Sequence, residues 1–314
     1  MKAAIVGAGA VGAACLFAMA MRGSADEIVL VNRNRAKARG VVTDLQYGVA
    51  LGPRVAIRDG TYGDLHGAHV VVITAGLNEK EGGATSRDDP AGRLRLLAAN
   101  ASVYRDIVPR IVEAAPEAVL LVVTDPPDAL ADFARALAPR SRVLSSGTFL
   151  DSLRLRFHIG ARLGIDARSV EALVVGEHGT SQVYAWSGAR IGGAPVVPSL
   201  LPRGQDGESF KREIEETVRF ANISIIEGTG ASQLGIGIAT ARIVEAMTGD
   251  EGIVIPIGSY QRKYGVTLSL PSRLGRDGVS EVLLPDLDEA ELAALDASAQ
   301  ALRRAREAIT PGAG

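Results

Sequence analysis

At 314 residues, 47% of them hydrophobic and 22% charged, the chain is long enough for one large or two ordinary domains with substantial apolar cores. Its 34 basic and 36 acidic residues are mixed along the sequence and leave a formal charge of −2, which excludes an electrostatic footprint for nucleic acid or an anionic membrane and points to small molecules or copies of itself as partners. No apolar run approaches the roughly 20 residues of a membrane span, the apolar start MKAAIVGAGAVG is read as part of the fold and not as a cleaved signal, and the single cysteine, Cys15, excludes internal disulfides and fits a cytoplasmic location.

In chain order, the first 145 residues alternate short β-branched runs (AAIV, EIVLV, RVAI, HVVVITA, AVLLVV, RVLS) with helical stretches such as Ala10 to Arg22 and Arg93 to Ala115. That alternation predicts parallel strands with crossover helices, a doubly wound α/β domain over 1–145. From 146 to 314 the pattern changes. A helix over Phe149 to Leu163 leads into VEALVVG and QVYAWSGARIGG, one charged amphipathic segment from Gly207 to Ile226, and an apolar helix around Gly235 to Met247. Strands in GIVIPIGSY and VTLSLPSRL follow, and Asp288 to Ile309 reads as a closing surface helix. Grouped strands and helices predict an α+β second domain.

The turn Gly7-Ala8-Gly9-Ala10-Val11-Gly12 lies between a predicted strand and a predicted helix. There Gly7 permits a tight turn, Gly9 lets the backbone approach a pyrophosphate, and Gly12 lets helix and strand pack closely. A glycine-rich turn of any α/β protein has the same letters, but the position between strand and helix favours dinucleotide binding. The next predicted strand ends in VLVNRNR, where such a fold usually carries the Asp or Glu that bonds the adenosine ribose. Here Asn32, Arg33 and Arg35 stand instead, a set that removes the carboxylate and offers cations to a 2′-phosphate. The alternative is that the arginines only solvate the start of a helix over Asn34 to Tyr47, with Asn32 bonding the ribose.

Further along, GTFLDSLRLR puts Asp151 and Arg154 three residues apart on one helix face, as a surface ion pair would also do. His178 lies between glycines in VVGEHGTSQV after an apolar strand, a place where sites collect although a lone histidine is more often structural.

Taken together, GAGAVG, ITAG, SGTFLDSLRLR, VVGEHGTSQV and LSLPSRLGRDGV occur in the order and approximate spacing of the L-lactate/malate dehydrogenase family, and the chain resembles that family over essentially its whole length. The resemblance implies an NAD(P)-dependent oxidoreductase of 2-oxo and L-2-hydroxy acids, a homodimer or homotetramer without a metal site. It implies His178 as the proton donor and acceptor, Asp151 as the group that holds and stabilises its imidazolium, and Arg154 as a bidentate clamp on the substrate carboxylate. The coenzyme falls to Gly7, Gly9, Val11, Gly12, Asn32 and Arg33, with Thr74, Ala75 and Gly76 of ITAG.

The sequence also departs from the family. The loop after ITAG is about eight residues longer than usual and offers two arginines for the family's carbonyl-polarising role, Arg87 in SRDD and Arg93 in RLRLLAAN. Arg93 is favoured because it keeps the family's spacing to Asn100 in a rigid helix. The step Pro90-Ala91-Gly92 is similar to the extended loop of L-2-hydroxyisocaproate dehydrogenases and suggests a side chain larger than that of lactate. Asp125 stands where the family has an asparagine near the substrate oxygen, and a carboxylate there opposes developing negative charge. The small Ser232 replaces a pocket threonine, and Glu79 falls near the position that separates lactate from malate enzymes. Because Asn32 removes the carboxylate and Arg33 and Arg35 offer cations to a 2′-phosphate, NADP(H) is expected to be used at least as well as NAD(H). The competing reading is a catalytically weak relative that binds the dinucleotide as a sensor or structural element.

Overall fold

Strands that read as unbroken apolar runs need cover on both faces, and the computed structural model supplies it. It describes residues 1–78, 90–204 and 206–309, with the side chains of 90–94 and 201–203 outside that description. The first part comprises β1 (Lys2–Val6), α1 (Ala10–Arg22), β2 (Glu27–Val31), α2 (Arg35–Val49), β3 (Ala56–Gly60), β4 (Val70–Ile73), α3 (Pro90–Ala114), β5 (Val119–Val122), α4 (Pro127–Leu137) and β6 (Arg142–Ser145). These six strands are parallel in the order β3-β2-β1-β4-β5-β6, the Rossmann arrangement with its switch point between β1 and β4. Alternate residues serve opposite faces. Ile5, Ile28 and Leu30 meet Leu16, Met19 and Ile243 on one side, while Val6, Val29 and Val31 join the cluster of Tyr104, Val108 and Leu130 on the other.

The second part comprises α5 (Phe149–Leu163), β7 (Val170–Glu171), β8 (Val174–Val175), β9 (Val183–Tyr184), β10 (Arg190–Ile191), β11 (Ala194–Pro195), α6 (Gly207–Arg219), α7 (Ala221–Thr229), α8 (Leu234–Thr248), β12 (Ile253–Gln261), β13 (Val266–Gly275), β14 (Gly278–Val282) and α9 (Glu289–Ile309). Its long strands do not build a separate sheet. Antiparallel β12 pairs with β6 at Gly258 and Ser145, and β13 and β14 follow, so nine described strands form one continuous sheet. The short strands make a three-stranded sheet β11-β10-β7 and the hairpin β8-β9.

Two expectations change. The single amphipathic segment from Gly207 to Ile226 is two helices, because α6 buries Phe210, Ile214 and Val218 with Leu155 and Ile159 of α5, and the chain then leaves helical geometry at Phe220 (φ −106°, ψ 12°). The closing helix α9 is more than a surface element. Ser298 on it is fully buried and accepts the Glu177 backbone N–H at 2.9 Å, directly beside His178. No described helix is long and apolar enough to cross a membrane.

Candidate active site

The segments singled out in the sequence converge at the C-terminal ends of the parallel strands. Gly7 to Gly12 follow β1, Asn32 follows β2, Thr74 to Gly76 follow β4, Asp125 follows β5, and Gly147 and Thr148 lead from β6 into α5. This is where an open α/β sheet leaves its ligand crevice.

The glycine turn is closed inside and open outside. Gly7 has φ +119°, and a Cβ on Gly12 would lie 2.0 Å from the Gly7 carbonyl oxygen, so neither position takes a side chain. Thr74 locks the turn from β4 by donating its hydroxyl to the Gly7 carbonyl at 3.0 Å. A Cβ on Gly9, the N-cap of α1, would meet nothing within 4 Å. The free space thus faces the N-terminal amides of a 13-residue helix, a cradle suited to a pyrophosphate. Val11 packs on the core at the start of that helix. Ala75 accepts from the Thr124 hydroxyl at 2.9 Å, and Gly76 lies against Thr124 and Asn100.

Asn32 has a local task that the sequence did not reveal. Its Oδ1 accepts the Ala8 N–H at 3.1 Å and its Nδ2 donates to the Asn34 carbonyl at 3.0 Å. A carboxylate could take the first bond but could not make the second. Arg35 pairs with Asp59 at 3.1 Å, whereas Arg33 is exposed next to Asn32.

The second constellation is assembled by buried hydroxyls. Ser152 accepts the Val174 N–H at 2.8 Å, Thr148 donates to the Val174 carbonyl, and Thr148 N–H donates to Ser269 Oγ at 3.0 Å. These bonds fasten the start of α5 to the edge of β8 and to β13. Beyond β8, Gly176 exchanges both backbone bonds with Ser269 of β13, at 2.8 and 2.9 Å. His178 is thereby fixed over α5, and its Nδ1 lies 2.5 Å from Asp151 Oδ2. Arg154 Nη1 donates to the other oxygen, Asp151 Oδ1, at 3.0 Å. The pair Asp151 and Arg154 is therefore no surface ion pair, since Asp151 is 1% exposed and Arg154 13%. Burial alone pushes the Asp151 carboxyl up, but the charge and hydrogen bonds of His178 and Arg154 outweigh it and hold the group below the usual carboxylate range.

Asp125 and Ser232 line the same cavity as His178 and Arg154. Asp125 Oδ1 lies 3.8 Å from His178 Nε2, the ring nitrogen opposite Asp151. The wall also includes Asn222, Leu150 and Ile236. Asn222 was missed in the sequence because it stands inside what reads as one amphipathic helix, and the break at Phe220 places it on α7 facing the cavity. Asn100 does more than mark register. Buried on α3, it donates to the carbonyls of Asp125 (2.8 Å) and Leu77 (3.2 Å) and accepts the Leu77 N–H at 2.7 Å, which ties the ITAG turn to the Asp125 backbone. Arg87 and Glu79 lie outside the described residues; Arg93 lies in the first turn of α3, but its side chain is outside the description. Among the described residues no group of three or more His, Cys, Asp or Glu is placed to hold a metal ion.

A Rossmann half with an open glycine turn, facing a buried Asp-His pair and an arginine, defines the class of nicotinamide-linked oxidoreductases. The comparisons narrow the class. Residues 1–144 match the family model described as lactate/malate dehydrogenase, NAD binding domain, and residues 148–311 match the one described as lactate/malate dehydrogenase, alpha/beta C-terminal domain. The L-lactate dehydrogenase of Chloroherpeton thalassium is 41% identical over 314 residues, 99% of this chain and 100% of its own. Among solved structures, a lactate dehydrogenase from a Medee basin deep-sea metagenome library has a TM-score of 0.89 at 35% identity, covering 98% of each chain. The minor L-lactate dehydrogenase of Enterococcus mundtii has a TM-score of 0.90 at 32% identity, covering 99% of each chain. The chain belongs to the lactate/malate dehydrogenase family, and with it to the NAD-linked oxidoreductases that interconvert 2-hydroxy and 2-oxo acids.

Proposed function

We propose that this chain is an NAD(P)-dependent L-2-hydroxyacid dehydrogenase whose substrate has a side chain larger than that of lactate. The observation that carries the activity is the 2.5 Å contact between His178 Nδ1 and Asp151 Oδ2, in a cavity that Arg154 also lines. Arg154 grips the substrate carboxylate through its planar fork. His178, protonated, gives the Nε2 proton to the keto oxygen; neutral, it takes the hydroxyl proton in the reverse direction. Asp151 keeps the other nitrogen protonated and stabilises the cation. The nicotinamide coenzyme, when bound, supplies the hydride to the keto carbon, so that proton and hydride together convert the 2-oxo acid to the 2-hydroxy acid. Gly7, Gly9, Val11 and Gly12, with Thr74, Ala75 and Gly76, would hold it. Arg93 is the chain's candidate for polarising the carbonyl.

The small Ser232 and the apolar Leu150 and Ile236 support room for a larger tail. The missing carboxylate at Asn32 and the exposed Arg33 support acceptance of NADP(H). One buried cysteine supports a reducing, cytoplasmic setting. Exposed Phe17 on α1 and exposed Leu234 and Ile238 on α8 support assembly into a homo-oligomer, which sedimentation would check.

The deciding experiment follows reduced-nicotinamide absorbance with a panel of 2-oxo acids, from pyruvate and oxaloacetate to branched and extended chains, with both coenzymes. Turnover with kcat/KM highest for the longer chains is expected. A clear preference for oxaloacetate would overturn the substrate proposal, and coenzyme binding without turnover of any 2-oxo acid would favour the sensor reading.

A further inference from the structure

His178 is bracketed by carboxylates at both ring nitrogens. Asp151 takes Nδ1 at 2.5 Å, and Asp125 Oδ1 stands 3.8 Å from Nε2, the atom that must exchange the proton with substrate. Both carboxylates are withdrawn from water, with side-chain exposures of 1% and 16%. The other charged groups around the ring, among the described residues, do not reproduce this. Arg154 on α5 lies against the far oxygen of Asp151, Asp128 on α4 takes the backbone N–H of His178 and not its ring, and Glu177 in the turn accepts the Ser181 hydroxyl at 2.5 Å. Asp125 is therefore the described anion placed at the reacting nitrogen, and its backbone is held there by Asn100.

We propose that Asp125 is a positioning residue that acts through His178: as a second counter-ion it keeps the proton on Nε2 in the free protein, biasing the site toward 2-oxo acid reduction at neutral and mildly alkaline pH. This rests on the dehydrogenase reading above. The physical basis is charge. An imidazolium with a carboxylate at each N–H is stabilised relative to the neutral ring, and two partly buried anions are screened less than exposed ones. The same carboxylate opposes the negative charge that develops on the keto oxygen, so the arrangement trades peak rate for a wider pH range in reduction and raises the pH at which His178 becomes the base for oxidation.

The test is a titration of the histidine ring signals by NMR in wild type, D125N and D125E, without substrate or coenzyme. The chain has only four histidines, so a H178N sample identifies the relevant signal. The His178 midpoint should fall by about one pH unit in D125N and recover at least partly in D125E. The alkaline limb of kcat/KM for reduction should move to lower pH by the same amount. Should D125N fold poorly, D125S removes the same charge and carries the same expectation. An unmoved midpoint, or a loss of kcat/KM that is equal at every pH, would overturn the proposal. Because the NMR midpoint needs no turnover, a shifted midpoint in a protein that reduces no 2-oxo acid would leave the pairing intact and sink the dehydrogenase reading instead.

Discussion

The backbone N–H of His178 donates to Asp128 Oδ2 at 2.7 Å, so the catalytic candidate is held from behind by a buried carboxyl as well as in front by Asp151. Asp128 also accepts from Ser145 at the end of β6, and it packs where β12 crosses at Gly258. Burial pushes its carboxyl up to about 7, against the lowering effect of the Ser145 hydroxyl and the His178 amide. A carboxyl raised in the folded state contributes stability that is fully present below its unfolded value near 4, and that is lost as pH climbs to about 7. Asp128→Asn keeps an acceptor for the His178 amide but does not titrate. Wild type should therefore lose on the order of 4 kcal/mol relative to this variant between pH 4 and pH 8. Denaturant melts across that range measure it; a constant offset between the two proteins would show that Asp128 keeps the same charge when folded.

His178→Ala should lower kcat roughly 10²- to 10⁴-fold, the usual worth of a positioned acid-base group. The glycine turn is built by β1, α1 and β4, none of which the substitution touches, so coenzyme affinity should stay within a few-fold of wild type by fluorescence titration. Retention of near-wild-type turnover would remove His178 from the mechanism.

Arg154→Lys replaces a fork that reaches Asp151 and the cavity with a single point charge. KM for every 2-oxo acid should rise roughly ten- to a hundredfold, the loss of one charge-assisted bond of about 1.5–3 kcal/mol. Steady-state kinetics on several substrates decides it, and a variant whose KM rises for some acids only would assign Arg154 to the substrate tail.

Arg33→Ala should weaken NADPH more than NADH, because the exposed guanidinium follows Asn32 at the end of β2, where a 2′-phosphate is expected. KM for both coenzymes is the measurement. Strong NADH preference in wild type, unaltered by the variant, would reduce VNRNR to a surface turn shaped by the Asn32 bonds to Ala8 and Asn34.

Much of this molecule was legible in its amino-acid order because the signals are local. Short β-branched apolar runs mark the parallel strands, which are covered on both faces, and the longer helical stretches mark α1, α5 and α8, whose bounds lie within a residue or two of the expected ones. The glycine turn was readable for the same reason, since the φ of +119° at Gly7 and the approach of Gly12 to the Gly7 carbonyl lie within the turn itself, whereas the packing of Thr74 and Ala75 against Gly7 was not. The break at Phe220 was not readable, because it depends on which neighbours bury Phe210 and Ile223.

What only the tertiary structure decided are the relations between distant segments. Asp151 and His178 are 27 residues apart and meet because Thr148 and Ser152 bond the edge of β8; nothing in either motif states that distance. Asp125 reads in sequence as a lone substitution, and it becomes an electrostatic partner only when β5 ends opposite the Nε2 of His178. Ser298, Ser269, Asp128 and Asn222 carry no periodic signal, since a single polar residue on a buried face looks the same whether it caps a catalytic turn or satisfies an unrelated backbone group. The amino-acid order determined the elements and the residue types available for chemistry; the packing of α5, α9 and β13 around one turn decided which of them act together.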